Sequence, residues 1–140
     1  MPRRTQSIPA LALALTVAVA GSAHAQARHV KTSEPSFDGR SLSSWIKDLK
    51  AAAPVTRNAA AYAISSMGPE AKPAVPALIE ALSDDEATVR FPVAVALREI
   101  GPGAAAAVPA LEKALDDRND DVAFMAKKAL QKIKPDAEIP

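Results

Sequence analysis

Hydrophobic positions recur in this chain on two scales. Locally, Leu42, Trp45, Ile46 and Leu49 fall at i, i+3, i+4 and i+7, which puts them on one face of a helix. Over longer distances the apolar columns return every 33 residues: Leu49, Leu82 and Leu115; Ile64, Leu97 and Leu130; Met67, Ile100 and Ile133. The punctuation keeps the same period, Gly68-Pro69 returning as Gly101-Pro102 and Val75-Pro76-Ala77-Leu78 as Val108-Pro109-Ala110-Leu111. A fixed period of this size predicts a solenoid. One unit cannot bury its own apolar face, so each is expected to stack on its neighbours.

Three units follow, over about 41–68, 69–101 and 102–134. In the first, Ser41 is the expected N-cap of one helix. Pro54 suits the first turn of the next, where a missing N–H leaves no bond unmade. That helix is expected to end near Met67, with Gly68 as the left-handed residue after it and Pro69 as the stop. In the second unit Pro76 starts a short helix carrying Leu78, Ile79 and Leu82 inward. Ser83-Asp84-Asp85-Glu86 makes the turn, its acids placed at the positive end of the following helix. That helix carries Val89, Val93, Ala96, Leu97 and Ile100. The third unit runs from Val108 to Ile133, with Asn119 as its cap and Pro135 as the stop before a tail, 135–140. The expected fold is all-α: a short right-handed α-solenoid of three helix pairs.

Pro92 conflicts with this pattern. Inside a helix it deletes the hydrogen bond to the Thr88 carbonyl and crowds it, at about 3 kcal/mol in isolation. Either the helix kinks there or it starts near Arg90. The kink is the preferred reading, because it keeps Val89 in column with Val122.

The 49% apolar content is inflated by the N-terminus. Arg3 and Arg4 precede an apolar run, Ile8 to Ala20, too short for a comfortable membrane span, and Ala23-His24-Ala25 follows. This is the layout of a signal peptide over 1–25, cleaved between Ala25 and Gln26. The polar stretch 26–40 has no sustained apolar period and is expected to be a flexible tether. Cleavage removes two arginines, so 17 basic against 16 acidic residues becomes 15 against 16. Such a balance leaves no electrostatic footprint for nucleic acid. The chain has no cysteine, which excludes disulfides and thiolate chemistry. The expected location is periplasmic or secreted in a bacterium, with no membrane span after cleavage.

Ala74-Val75-Pro76-Ala77-Leu78-Ile79-Glu80-Ala81-Leu82, Val89-Arg90 and Ala96-Leu97-Arg98-Glu99-Ile100-Gly101-Pro102 together resemble HEAT-like repeats of the phycobilisome-lyase type, over about Ser41 to Lys134. Ankyrin repeats share the period, but their Thr-Pro-Leu-His signature is absent. The resemblance implies a superhelix with second helices on the concave side. It also implies an Asp–Arg ladder, with Asp84 and Asp117 at the turns and Arg57 and Arg90 on the helices; Ala123 stands where a third arginine would be. Two enzyme classes share such repeats. Deoxyhypusine hydroxylase holds iron through His-Glu pairs, and here only His24 and His29 occur, neither followed by Glu. Bilin lyases act in the cytosol, which does not suit an exported chain.

No catalytic, cofactor-binding or metal-binding set stands out. The acids Asp84-Asp85-Glu86 and Asp116-Asp117 lie in short turns before helices, unlike a looped calcium site. Trp45 is expected to cap the core. The residues left for function lie on the second helices away from the core: Asn58, Phe91 and Phe124 in one column, Tyr62, Val95 and Lys128 in the next, then Arg98. Exposed aromatics and arginines are enriched at interfaces; the alternative is that Phe91 and Phe124 pack between repeats. The expected function is a non-catalytic interaction or scaffold module that needs no cofactor and binds a protein or peptide on the concave side, the face of the second helices turned away from the core. The alternatives are an accessory subunit of an enzyme, or an array that self-associates weakly through uncapped repeat ends.

Overall fold

A computed structural model describes residues 33–139. The expected signal peptide, its expected cleavage site at Ala25 and Gln26, and most of the expected tether lie outside the described residues. The folded unit begins at Glu34. It comprises a hairpin of β1 (Ser36–Phe37) and β2 (Arg40–Ser41), followed by six α-helices: α1 (Leu42–Asp48), α2 (Pro54–Ser66), α3 (Val75–Ala81), α4 (Ala87–Ile100), α5 (Val108–Ala114) and α6 (Asp120–Ile133). They make three pairs, each a short first helix and a longer second one. The second helices pack directly on one another, α2 on α4 and α4 on α6. The first helices meet chiefly through two 3₁₀ segments, Gly68–Ala74 and Gly101–Ala107.

These segments join successive units. Their buried residues are alanines, Ala71 and Ala74 in one and Ala104 and Ala107 in the other, spaced by the repeat period. Small side chains at these points let the connecting backbone lie against the core. Gly101 ends α4 at φ 70°, ψ −139°, a region that a residue with a Cβ avoids. The Ala87–Ala114 stretch has the length and composition of a membrane span, yet Gly101 breaks it and half of it is buried among the repeats.

The core follows the 33-residue columns. Ile64, Leu97 and Leu130 are almost fully buried, as are Val89 and Val122. Ser41 caps α1, its hydroxyl accepting from the Ser44 N–H, and the Asn119 side chain caps α6 by accepting from Asp121 and Val122. The α4 helix starts at Ala87, so Pro92 lies inside it and does not mark its start. No residue within α4 leaves helical backbone geometry.

Both ends of the stack depart from the expected boundaries. Residues 34–40 are not tether: Asp38 and Gly39, at φ 52° and 71°, turn a two-residue hairpin of the type that Asp-Gly favours. The hairpin is fixed to α1 by polar contacts. Trp45 Nε1 donates to the Phe37 carbonyl at 3.2 Å, and the Glu34 carboxylate accepts from the Ser43 backbone N–H. Arg40 reaches Asp48 Oδ2 and Ser44 Oγ, both at 2.7 Å, and lies 3.8 Å from the centre of the Trp45 ring. At the far end the tail folds back and Ile139 packs on the core, beside Leu115 and Leu130. Terminal units lack one neighbour, and each end of this stack carries a segment folded against it. The ends through which self-association was envisaged are therefore not bare.

Candidate functional site

Two sets of non-core residues run along the stack, one at the turns and one on the outer face of the second helices. At the turns, Arg57 makes a two-pronged contact with Asp84, Nε to Oδ2 at 2.7 Å and Nη2 to Oδ1 at 3.0 Å. Arg90 does the same with Asp117, both bonds at 2.8 Å. Each arginine also donates Nη1 to two carbonyls of the preceding turn, those of Ala51 and Ala52 for Arg57 and those of Asp84 and Asp85 for Arg90. Each aspartate in turn accepts a backbone N–H two residues on, from Glu86 and from Asn119. One arginine thereby closes two successive turns of the chain. The side chains of the Arg90–Asp117 pair are 6% and 9% exposed, those of Arg57–Asp84 16% and 10%.

Hydrogen bonding to its arginine, helped by the backbone donor and opposed by burial, holds each aspartate below the usual carboxylate range. The same bonds raise both arginines. The charges of each pair are matched, and four of the five N–H groups of each arginine are bonded within the ladder. The ladder holds units together and has no unmatched charge to offer an anion.

The outer face of the second helices is different. Tyr62 is 45% exposed and Phe124 59%. Phe91, between them along the stack, is half-buried and packs against the core, as does Val95. Lys128 reaches over Phe124, its Nζ 5.4 Å from the ring centre. Arg98 is turned along its own helix, donating to Glu99 Oε1 and pointing Nη1 at the Met125 sulfur, 3.6 Å away. Asn58 donates Nδ2 to the Thr88 carbonyl. That carbonyl is the one Pro92 leaves without an intrahelical partner, so a side chain of the first unit satisfies an acceptor freed in the second.

Asn58, Tyr62, Ala87, Thr88, Phe91, Asn119 and Asp121 line an open groove of about 510 Å³ across the start of α4. The face residues named from the sequence thus divide. Asn58, Tyr62 and Phe91 share this groove; Phe124 and Lys128 lie on the adjoining helix; Val95 and Arg98 line no part of it.

A family model for HEAT repeats matches residues 42–131, nearly the whole of the three helix pairs. The chain belongs to the HEAT-repeat family. The comparison with curated proteins gives no match. HEAT repeats commonly mediate contacts between proteins, and this chain is a HEAT array of three units. Its turns are closed by paired charges and its core by aliphatic columns, which leaves the outer face of the second helices. Among the described residues no three His, Cys, Asp or Glu side chains converge as a metal site would require.

Sequence reasoning missed Thr88, Asn119 and Asp121 as groove residues. Asn119 had been assigned entirely to capping, yet its Oδ1 alone does that work and its amide nitrogen is left over. The signal that finds the groove is Pro92: a proline at that position frees the carbonyl at Thr88, and something on the neighbouring unit must meet it.

Proposed function

We propose that the protein is an exported, non-catalytic interaction module that presents the outer face of α2, α4 and α6 to a protein or peptide. The observation that carries this reading is the exposure of Tyr62 and Phe124 on adjoining columns of one face, in a chain whose other aromatics, Phe37 aside, are partly buried. Large apolar rings left in water beside polar residues favour burial against a partner. The composition of residues 1–25 supports export. The accessory-subunit reading needs the same face, with an enzyme as the partner, and is tested with it.

The test uses the full chain, purified from the exported fraction with and without Tyr62→Ser and Phe124→Ser together. Both positions are exposed, so the fold should survive and partner recovery should fall. Val55→Ser, at a residue 74% exposed, should leave recovery intact. Equal recovery by all three forms contradicts the assignment of the face. Export is checked by sequencing the N-terminus of the exported protein: Gln26 is expected, and a chain still beginning at Met1 contradicts it.

A further inference from the structure

The groove between α2 and the starts of α4 and α6 has a chemistry of its own. No cationic residue lines it. Its one charged member is Asp121, exposed and in no ion pair or side-chain hydrogen bond within the folded unit. Glu86 and Asp120 flank it, both exposed and likewise outside any ion pair. Asn58 donates one N–H to Thr88, and its Oδ1 is left as a free acceptor. Asn119 spends its Oδ1 on capping and keeps its amide N–H groups free, and the remaining walls are Ala87, Thr88 and the side chains of Tyr62 and Phe91.

We propose that this groove receives an arginine side chain from the partner polypeptide. Three features converge on that occupant. Ring faces attract a cation through their quadrupole, and a flat guanidinium stacks on them better than an ammonium does. Among the free polar groups are two acceptors, Asn58 Oδ1 and the Asp121 carboxylate, which suit a group that only donates. The electrostatic field of Asp121, with Glu86 and Asp120 beside it, favours positive charge and disfavours an acidic segment. The same face already holds one cation against a ring in Lys128 over Phe124. This inference rests on the outer face being the interaction surface, and it adds the class of side chain that the surface selects.

The experiment is an NMR titration of the full chain with the blocked peptide acetyl-Ala-Arg-Ala-amide and, separately, with its citrulline counterpart, which keeps the shape and loses the charge. The arginine peptide is expected to shift amide signals of Asn58, Tyr62, Thr88, Phe91 and Asp121 saturably, and the citrulline peptide to bind at least about fivefold more weakly. Asp121→Asn should weaken the arginine peptide by about threefold, while Asp116→Asn, at an exposed acid away from the groove, should leave it unchanged. Equal binding of the two peptides, or shifts spread evenly over exposed acids, overturns the proposal. If the arginine peptide fails while the Tyr62→Ser, Phe124→Ser form still loses its partner, the face stands and the arginine assignment falls. If that form also keeps its partner, both fall.

Discussion

The junction between the first and second units and the junction between the second and third carry the same charged rung, and they differ one residue away from it. Arg57 and Arg90 each grip the next aspartate with two bonds and the previous turn with two more. Beside them in sequence stand Asn58 and Phe91. At the first junction Asn58 reaches across to the Thr88 carbonyl, because Pro92 has no N–H to give it. At the second junction the equivalent carbonyl is that of Asp121, within reach of the Met125 N–H in an unbroken helix. Phe91 therefore has no such bond to make, and its ring is free to line the groove. Columns that repeat build the stack; the position that breaks the repeat decides which side chains are spent on stacking and which remain.

The largest separation between the junctions should come from their rungs. Arg90→Ala leaves Asp117 buried without its partner, which typically costs about 3 kcal/mol or more. The more exposed Arg57 should lose less on the same substitution. Urea unfolding of the two variants measures the difference, and equal losses would mean that burial does not distinguish the rungs.

Acid should weaken both. Asp84 and Asp117 have folded pKa values below their unfolded ones, so across the interval between the two values the unfolded chain binds more protons. Their contribution is present in full above about pH 4, near the unfolded aspartate value, and is lost as pH falls through the folded values. Thermal melts from pH 6 down to pH 2 should show a falling midpoint below pH 4. Asp117→Asn should flatten that fall, and an unchanged slope would contradict the role given to the rung.

A smaller effect distinguishes the two phenylalanines of the face. Phe91→Ala removes a half-buried ring and should cost about 1–2 kcal/mol, less than a fully buried Phe. Phe124→Ser should stay within about 0.5 kcal/mol. A loss at Phe124 as large as at Phe91 would show that its ring packs between repeats and is not free for a partner.

Much of the fold was legible because the 33-residue columns repeat core, helix stop and cap together. Gly68 and Gly101, Val75 and Val108, Leu82 and Leu115 each say the same thing at the same place. The paired ladder entered through family resemblance, and the geometry explains its form: an Arg at the fourth position of α4 and the Asp of the next turn meet because units stack in register. The ends were not legible. A hairpin of two residues per strand has no alternation to detect, so only Asp38-Gly39 marked it, and the tail carries a single large aliphatic residue, Ile139, to dock. The groove was half legible. Exposed rings on the second helices follow from the columns, whereas the Asn58–Thr88 bond needs three-dimensional knowledge of which neighbour meets the carbonyl freed by Pro92.

That bond is the most direct test of the division between spent and free residues. In a double-mutant cycle of Asn58→Ala and Pro92→Ala, Asn58→Ala alone should destabilise the chain by about 1 kcal/mol, because a carbonyl loses its partner. In the Pro92→Ala background the helix supplies its own N–H to Thr88, and the same substitution should cost close to nothing. The expected coupling energy between residues 58 and 92 is about 1 kcal/mol. Additive losses, with Asn58→Ala costing as much in either background, would contradict it.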